Sequence, residues 1–216
     1  MEELPFWIRT WKSIDPKSVL NYIQHIENSD DQIIGFMKKR GVDSVCDAGC
    51  GCGAYSLKLA RHGFSVSGFD ISEYAVKLTK ELLSKNGYTA DNFKVSDIIS
   101  TGYESGSFDA VVARDVIDHL PAKQGHDAVK ELLRITKSGG YLLLSVDKTD
   151  EEYESEPHEI NGNGDYVFTS GKWTGMVFHP YSLGEIKTLT DRPDDISLLS
   201  TDEGYMIAIS KQTENG

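Results

Sequence analysis

The chain has 216 residues, of which 39% are hydrophobic and 26% charged, the size and make-up of one globular domain, and no run nears the roughly 18 apolar residues of a membrane span. Its 34 acids against 22 lysines and arginines leave a formal net charge of −12 with no basic stripe, which argues against nucleic acid as a partner. Cys46, Cys50 and Cys52 crowd into one turn without the second ligand pair of a zinc site; no metal is expected, and with an acidic start lacking a leader pattern the expected location is cytoplasmic.

In chain order, Phe6–Trp11 is an aromatic cluster, unusual at a terminus, whose Trp7 and Trp11 can pack the first helix onto the sheet. Pro16 to Asn28 carries Val19, Leu20, Ile23 and Ile26 on one helical face, and Asp31 to Lys39 a second such face ending at Gly41. Ser44-Val45-Cys46 reads as a buried parallel strand and Ala54 to Arg61 as a helix, so Gly49, Gly51 and Gly53 sit on a strand-to-helix turn. Glycine there lets the backbone reach positive φ and approach a ligand that the helix N–H groups face. A dinucleotide site wants G-x-G-x-x-G, which Gly49, Gly51 and Ala54 satisfy in a variant form, so the turn alone leaves the nucleotide open.

Further strands are expected at Ser65–Asp70, Phe93–Ile98, Phe108–Asp115 and, after a turn at Gly139-Gly140, Tyr141–Val146. Helices are expected from Ser72 to Lys85 and from Pro121 through Ile135. Asp47, Asp70 and Asp97 each stand at the end of a strand, where a carboxylate is costly unless a donor or ligand meets it. Asp147 to Asp165 is acidic and aperiodic and reads as a solvated loop; Tyr166–Thr169, Trp173 and Met176–His179 then read as short strands or an aromatic flap. Ser182 and Glu185 are spaced as a capping box, and Ile196–Ser200 and Tyr205–Ser210 as a hairpin joined at Asp202-Glu203-Gly204.

Asp47-x-Gly49-x-Gly51-x-Gly53, followed by Asp70, Asp97 and the strands to residue 147 in order, resembles motif I and its successors in the class I S-adenosylmethionine-dependent methyltransferases. The resemblance implies a doubly wound, mostly parallel seven-stranded α/β sheet with helices on both faces and a C-terminal antiparallel pair. It implies a helical lid over residues 1–41, a methyltransferase domain over 42–216 and an insertion near 148–180. The implied cofactor is S-adenosylmethionine, held by Trp11, Asp47, Ala48, Gly49, Cys50, Gly51, Gly53, Asp70, Ile71, Ser72, Ser96, Asp97, Ile98, Arg114 and Asp115. Asp70 would take the ribose hydroxyls, Asp97 would face the adenine amino group, and Arg114 and Asp115 the methionyl end.

Methyl transfer from a sulfonium needs alignment and dehydration first, and a general base only for a protonated nucleophile. His119, His179 and Tyr181 are the candidates by position, set against ordinary packing roles. The expected acceptor is a small molecule. A nicotinamide-dependent oxidoreductase and a non-catalytic S-adenosylmethionine-binding module are the alternatives.

Overall fold

The structure, a computed structural model, describes residues 5–29, 32–190, 192, 195–200 and 204–212. Three helices lead in: α1 (Phe6–Ser13), α2 (Pro16–Asn28) and α3 (Gln32–Lys39). Asp15 caps α2 by accepting from the Lys17 and Ser18 amides, with Pro16 in the first turn where its missing N–H costs nothing. The expected start of α3 at Asp31, and the hairpin turn residues Asp202 and Glu203, lie outside the described residues.

The body alternates strand and helix: β1 (Ser44–Ala48), α4 (Ala54–Arg61), β2 (Ser65–Asp70), α5 (Glu73–Lys85), β3 (Phe93–Val95), β4 (Phe108–Arg114), α6 (Ala122–Ile135) and β5 (Thr136–Asp147). After α7 (Glu151–Ser155), β6 (His158–Ile160), β7 (Tyr166–Phe168), β8 (Val177–Phe178) and α8 (Leu183–Ile186), the chain returns through β9 (Ile196–Ser200) and β10 (Gly204–Ser210). The main sheet runs β3-β2-β1-β4-β5-β10-β9, with β10 antiparallel to both neighbours and the other pairs parallel.

The strands divide their side chains between two cores. Val112 and Leu143 join Ile26, Met37 and Leu57 on the face covered by α2 to α5, while Val111, Leu142 and Leu144 join Ala128, Leu132 and Ile135 of α6 on the other. Burial on both faces is why these strands read as continuous apolar runs. Among the described residues no helix is long and apolar enough to cross a membrane.

Three expectations are corrected. The glycine pair is inside a strand: β5 begins at Thr136, opposite Phe108, and Lys137 to Gly140 bulge before Tyr141 pairs with Ala110. A Cβ on Gly140 would come 2.5 Å from the Asp109 carbonyl, so the bulge must pass there as glycine. The third strand stops at Val95, and Asp97 is exposed, its Oδ1 accepting from the Ile99 amide, so it is no buried strand-end acid. Within the acidic stretch Asp150 caps α7, Tyr153 stacks on Phe178 with ring centroids 4.1 Å apart, and β6 pairs with β7, because an aromatic anchor and a strand partner outweigh local charge.

The strands β6, β7 and β8 form a separate antiparallel sheet. Phe168, Met176 and Phe178 are its buried core, flanked by Phe6, Trp7, Tyr153, Tyr166 and Trp173. The aromatic residues of the expected flap are thus a satellite core beneath α1 and α7.

Candidate active site

The glycine turn is built by backbone demand. Gly49, Gly51 and Gly53 have φ of 77°, 52° and 82°, and a Cβ on Gly53 would lie 2.8 Å from the Thr79 backbone. A side chain there meets both a strained conformation and a collision. The turn is tied down on all sides: the Gly49 and Cys50 amides donate to the Phe69 carbonyl at 2.9 and 3.0 Å, and the Thr79 hydroxyl donates to the Gly51 carbonyl at 2.9 Å.

Asp70 closes the clamp. Its Oδ2 accepts from the Gly51 amide at 3.0 Å and its Oδ1 from the Ser72 amide at 2.9 Å, so one carboxylate joins the turn to the start of α5. Burial raises its pKa, and the Ser72 and Gly51 amides oppose that shift. Ser72 in turn caps α5 by accepting from the Ala75 amide. Asp47, buried beneath the turn, accepts from the Ser56 hydroxyl; burial lifts its pKa to about 6, against that hydroxyl and the nearby Arg114 charge. Cys46, Cys50 and Cys52 are buried free thiols filling the space around the turn.

Beyond Asp70 the surface turns apolar, with Ile71, Val95 and Ile99 exposed at 47%, 54% and 40% around Asp97, while Ile98 is buried. Ser96 is fastened by its amide to the Asp70 carbonyl and by its hydroxyl to the Thr101 carbonyl. A polar cradle of amides and a carboxylate beside exposed aliphatic side chains fits a nucleoside: sugar hydroxyls at Asp70, a flat base against the isoleucines. Trp11 of α1 lies over the turn, its ring where a Cβ on Gly51 would be met at 2.7 Å.

At the carboxyl ends of β4 and β5 and the amino end of antiparallel β10 a cavity of about 990 Å³ opens under α2. Arg114, Asp115, Ser145 and Asp147 form its floor, and Tyr22 and His25 of α2 and Tyr205 of β10 its walls. Arg114 stacks 4.6 Å over the Tyr55 ring, on the side of the glycine turn. Asp115 has φ of 53°, the one non-glycine with positive φ among the described residues, and its Oδ1 accepts from the Ser145 hydroxyl at 2.6 Å. Sequence reasoning missed Tyr22, His25, Ser145, Asp147 and Tyr205 as site residues. His25 and Tyr22 lie on the flank of α2 that walls the cavity.

The three candidate proton-transfer residues have different settings. His119 sits in a 3₁₀ turn (Ile117–His119), edge-on to Trp7 with centroids 4.7 Å apart, and burial lowers its pKa against the pull of Asp147 and Asp115. His179 is buried between carboxylates, Nδ1 2.9 Å from Asp165 Oδ1 and Nε2 3.4 Å from Glu185 Oε1, and its amide donates to the Asp118 carbonyl. Tyr181 is buried against Gly125 of α6, and that burial raises its pKa. None of the three lines the cavity: His119 is buried behind it, coupled to Asp115 and Asp147, and His179 and Tyr181 fasten the segment after β8 to the body.

A family model described as a methyltransferase domain matches residues 46–144. The chain is 30% identical over 136 residues to a ubiquinone biosynthesis O-methyltransferase of Nitrosomonas europaea, covering 61% of this chain and 56% of that one. It is 29% identical over 129 residues to mouse EEF1A lysine methyltransferase 2, covering 55% and 53%. The chain thus spans about half the length of these curated relatives. A solved S-adenosylmethionine-dependent methyltransferase of Methanosarcina mazei superposes with a TM-score of 0.63 at 25% identity, over 80% of this chain and 93% of that one.

Proposed function

We propose, because the chain belongs to the class I S-adenosylmethionine-dependent methyltransferases, that it transfers the methyl group of S-adenosylmethionine to a small molecule bound in the cavity under α2. The observation that carries this reading is the joining of the Gly49–Gly51–Gly53 turn to Asp70 on a sheet ordered β3-β2-β1-β4-β5-β10-β9. A nicotinamide-binding sheet of the common doubly wound kind places its last strand parallel at the edge, whereas here antiparallel β10 is inserted beside β5.

S-Adenosylmethionine supplies an activated methyl group on a sulfonium. The chain's own residues bind and orient. Asp70 accepts the ribose hydroxyls, Ile71 and Ile98 flank the base with Asp97 at its amino group, and the glycine backbone from Gly49 to Gly53, its amides already bonded within the turn, lets the sugar and chain approach closely. Arg114 and Asp115 receive the methionyl end where the cradle opens into the cavity. Trp11 covers the turn, and residues 1–41 act as a helical lid on the domain of residues 42–216. Holding two reactants in line supplies about 7–11 kcal/mol of the barrier lowering, so the burden on a catalytic base is small. His119, kept neutral by burial and electrostatically coupled to Asp115 and Asp147, is the proton acceptor of this reading. His179 and Tyr181 anchor the insertion of residues 148–180. Three free thiols on β1 and the turn that follows it fit a reducing compartment and support a cytoplasmic location.

Isothermal calorimetry with S-adenosylmethionine, S-adenosylhomocysteine and NAD tests the reading. The first two are expected to bind and the third not. Binding of NAD alone overturns it, and cofactor binding without turnover across amine, phenol and thiol panels favours the non-catalytic module.

A further inference from the structure

We infer that the cavity under α2 takes a small amine in its cationic form as the methyl acceptor, held by the carboxylate of Asp147 with Asp118 fixed behind it. The inference rests on the methyltransferase reading and adds the acceptor's class to it. Its starting point is an acidic corner: Asp115 and Asp147 line the cavity, and Asp118, on the short turn between β4 and α6, is fully buried next to them.

Independent of that clustering, Asp118 Oδ2 accepts from the Asp147 amide at 2.9 Å while its Oδ1, also buried, meets no donor among the described residues. A native fold rarely keeps such an oxygen without cause. Asp115 is held in left-handed backbone, a conformation that costs a non-glycine residue energy and that here turns the chain sharply at the cavity floor. Burial and repulsion from Asp115 lift Asp118 to a pKa of about 8 and, with Asp118 adding to the repulsion, Asp147 to about 7, so near neutral pH the corner carries protons that a cation would displace.

The charged groups around the corner favour a cation over an anion. Facing Asp147 are Asp115 and Asp118, His119 and Asp150 at the start of α7. Arg114 is drawn to the Tyr55 face and lowers the pKa of Asp47, and Lys148 stacks 5.0 Å over the Tyr205 ring. The walls are amides and hydroxyls with His25, Tyr22 and Tyr205, and the two tyrosines offer ring faces to an ammonium group. An ammonium nitrogen becomes nucleophilic by giving its proton to the Asp147 carboxylate and keeping the electron pair, and His119, coupled to that carboxylate, takes the proton on.

Choline, a cation at every pH, and its neutral isostere 3,3-dimethylbutan-1-ol separate charge from shape. Calorimetric titrations are run with and without S-adenosylhomocysteine at pH 6 and pH 8, and the affinity for S-adenosylhomocysteine is read separately. Choline is expected to bind at pH 8, about tenfold more weakly at pH 6 where the carboxylates hold protons, and the isostere not at all. Asp147→Asn is expected to lose about tenfold in choline affinity and its pH dependence, with S-adenosylhomocysteine binding within about twofold. Equal binding of the isostere, no choline binding, or an unchanged Asp147→Asn variant overturns the inference. Failure of S-adenosylhomocysteine to bind strikes the methyltransferase reading instead, and the choline titration on the free protein still stands.

Discussion

The glycine turn and the acidic corner lie at the ends of neighbouring strands, and they solve opposite problems. In the turn the carboxylates and the central carbonyl are met: Asp70 accepts two amides, Asp47 a hydroxyl, and the Gly51 carbonyl the Thr79 hydroxyl. In the corner three carboxylates crowd together, one of them with a buried oxygen that finds no donor among the described residues. A site whose ligand is always the same can be finished in advance by backbone geometry. A site awaiting a charged ligand keeps its electrostatics unbalanced until that ligand arrives. If this contrast holds, changes in the turn will act through backbone strain, and changes in the corner through protons.

The largest effect is expected from Gly53→Ala. A Cβ at φ 82°, 2.8 Å from the Thr79 backbone, costs strain and overlap together of about 2–4 kcal/mol. Thermal melting should fall by about 10 °C and S-adenosylhomocysteine affinity by more than about tenfold. Gly35→Ala in α3, where nothing lies within 4 Å of the added carbon, is the matched control and should hold or raise the melting temperature. Equal effects of the two substitutions would break the strain argument.

Next is Asp70→Ala. Read from the sequence alone, Asp70 serves the ribose, and its loss would lower cofactor affinity by about 2–4 kcal/mol with little effect on the fold. Its two internal hydrogen bonds change that expectation: stability should fall as well, by about 1–3 kcal/mol, since the Gly51 and Ser72 amides lose their acceptor. Melting and calorimetry on one sample measure both. A fall in affinity with unchanged melting would restore the simpler role.

The corner is sharpened by pH. Asp118 and Asp147 have folded-state pKa values raised to about 8 and about 7, above the unfolded value, so the stability they contribute is full in acid and is lost as pH rises through 7 to 8. Because both are raised by Asp115 and Asp147 by Asp118 as well, they titrate as one coupled group, and a loss of about 2 kcal/mol between pH 6 and 8.5 is expected. Asp118→Asn keeps an acceptor for the Asp147 amide without the charge, so it should melt above the parent at pH 8 and show a flatter profile. A parent whose melting temperature rises over that interval would contradict the buried-carboxylate picture.

The two regions also differ in how far they could be read from the chain. The turn was legible because a positive φ admits few residues but glycine, and because strand-end acids and helix caps such as Ser72 leave marks at fixed spacing. The alternating cores followed from apolar periodicity in the same way. The corner left no such mark: Asp118 and Asp147 are common residues 29 positions apart, joined only by the hydrogen bond from an amide to a carboxylate. Tyr22 and His25 sit on the flank of a helix read for its apolar face, and they matter only once the ends of β5 and β10 are in place beneath them. The small sheet was half legible, since its aromatic strands showed while β6, three residues in an acidic stretch, takes its conformation from pairing with β7.

The smallest expected effect concerns what covers each region. None of the described side chains of α1 is fully buried, and the helix reaches the body through Trp11 on Gly51, Trp7 on His119 and the Arg9 guanidinium donating to the Thr174 carbonyl at 2.6 Å. The small sheet instead has its own core, with Phe168, Met176 and Phe178 almost wholly buried. Elements with few buried contacts open at low free energy, and those with a core open near the global limit. Amides of α1 should therefore exchange quickly in the free protein and slow when S-adenosylhomocysteine binds, while those of β7 and β8 should be protected in both states. Trp11→Ala should weaken S-adenosylhomocysteine by only a few-fold, because one partly exposed ring is removed from over a cradle that stays intact. Protection of β7 and β8 that appears only with S-adenosylhomocysteine would mean that the aromatic insertion closes together with α1, and the satellite core would then be part of the lid.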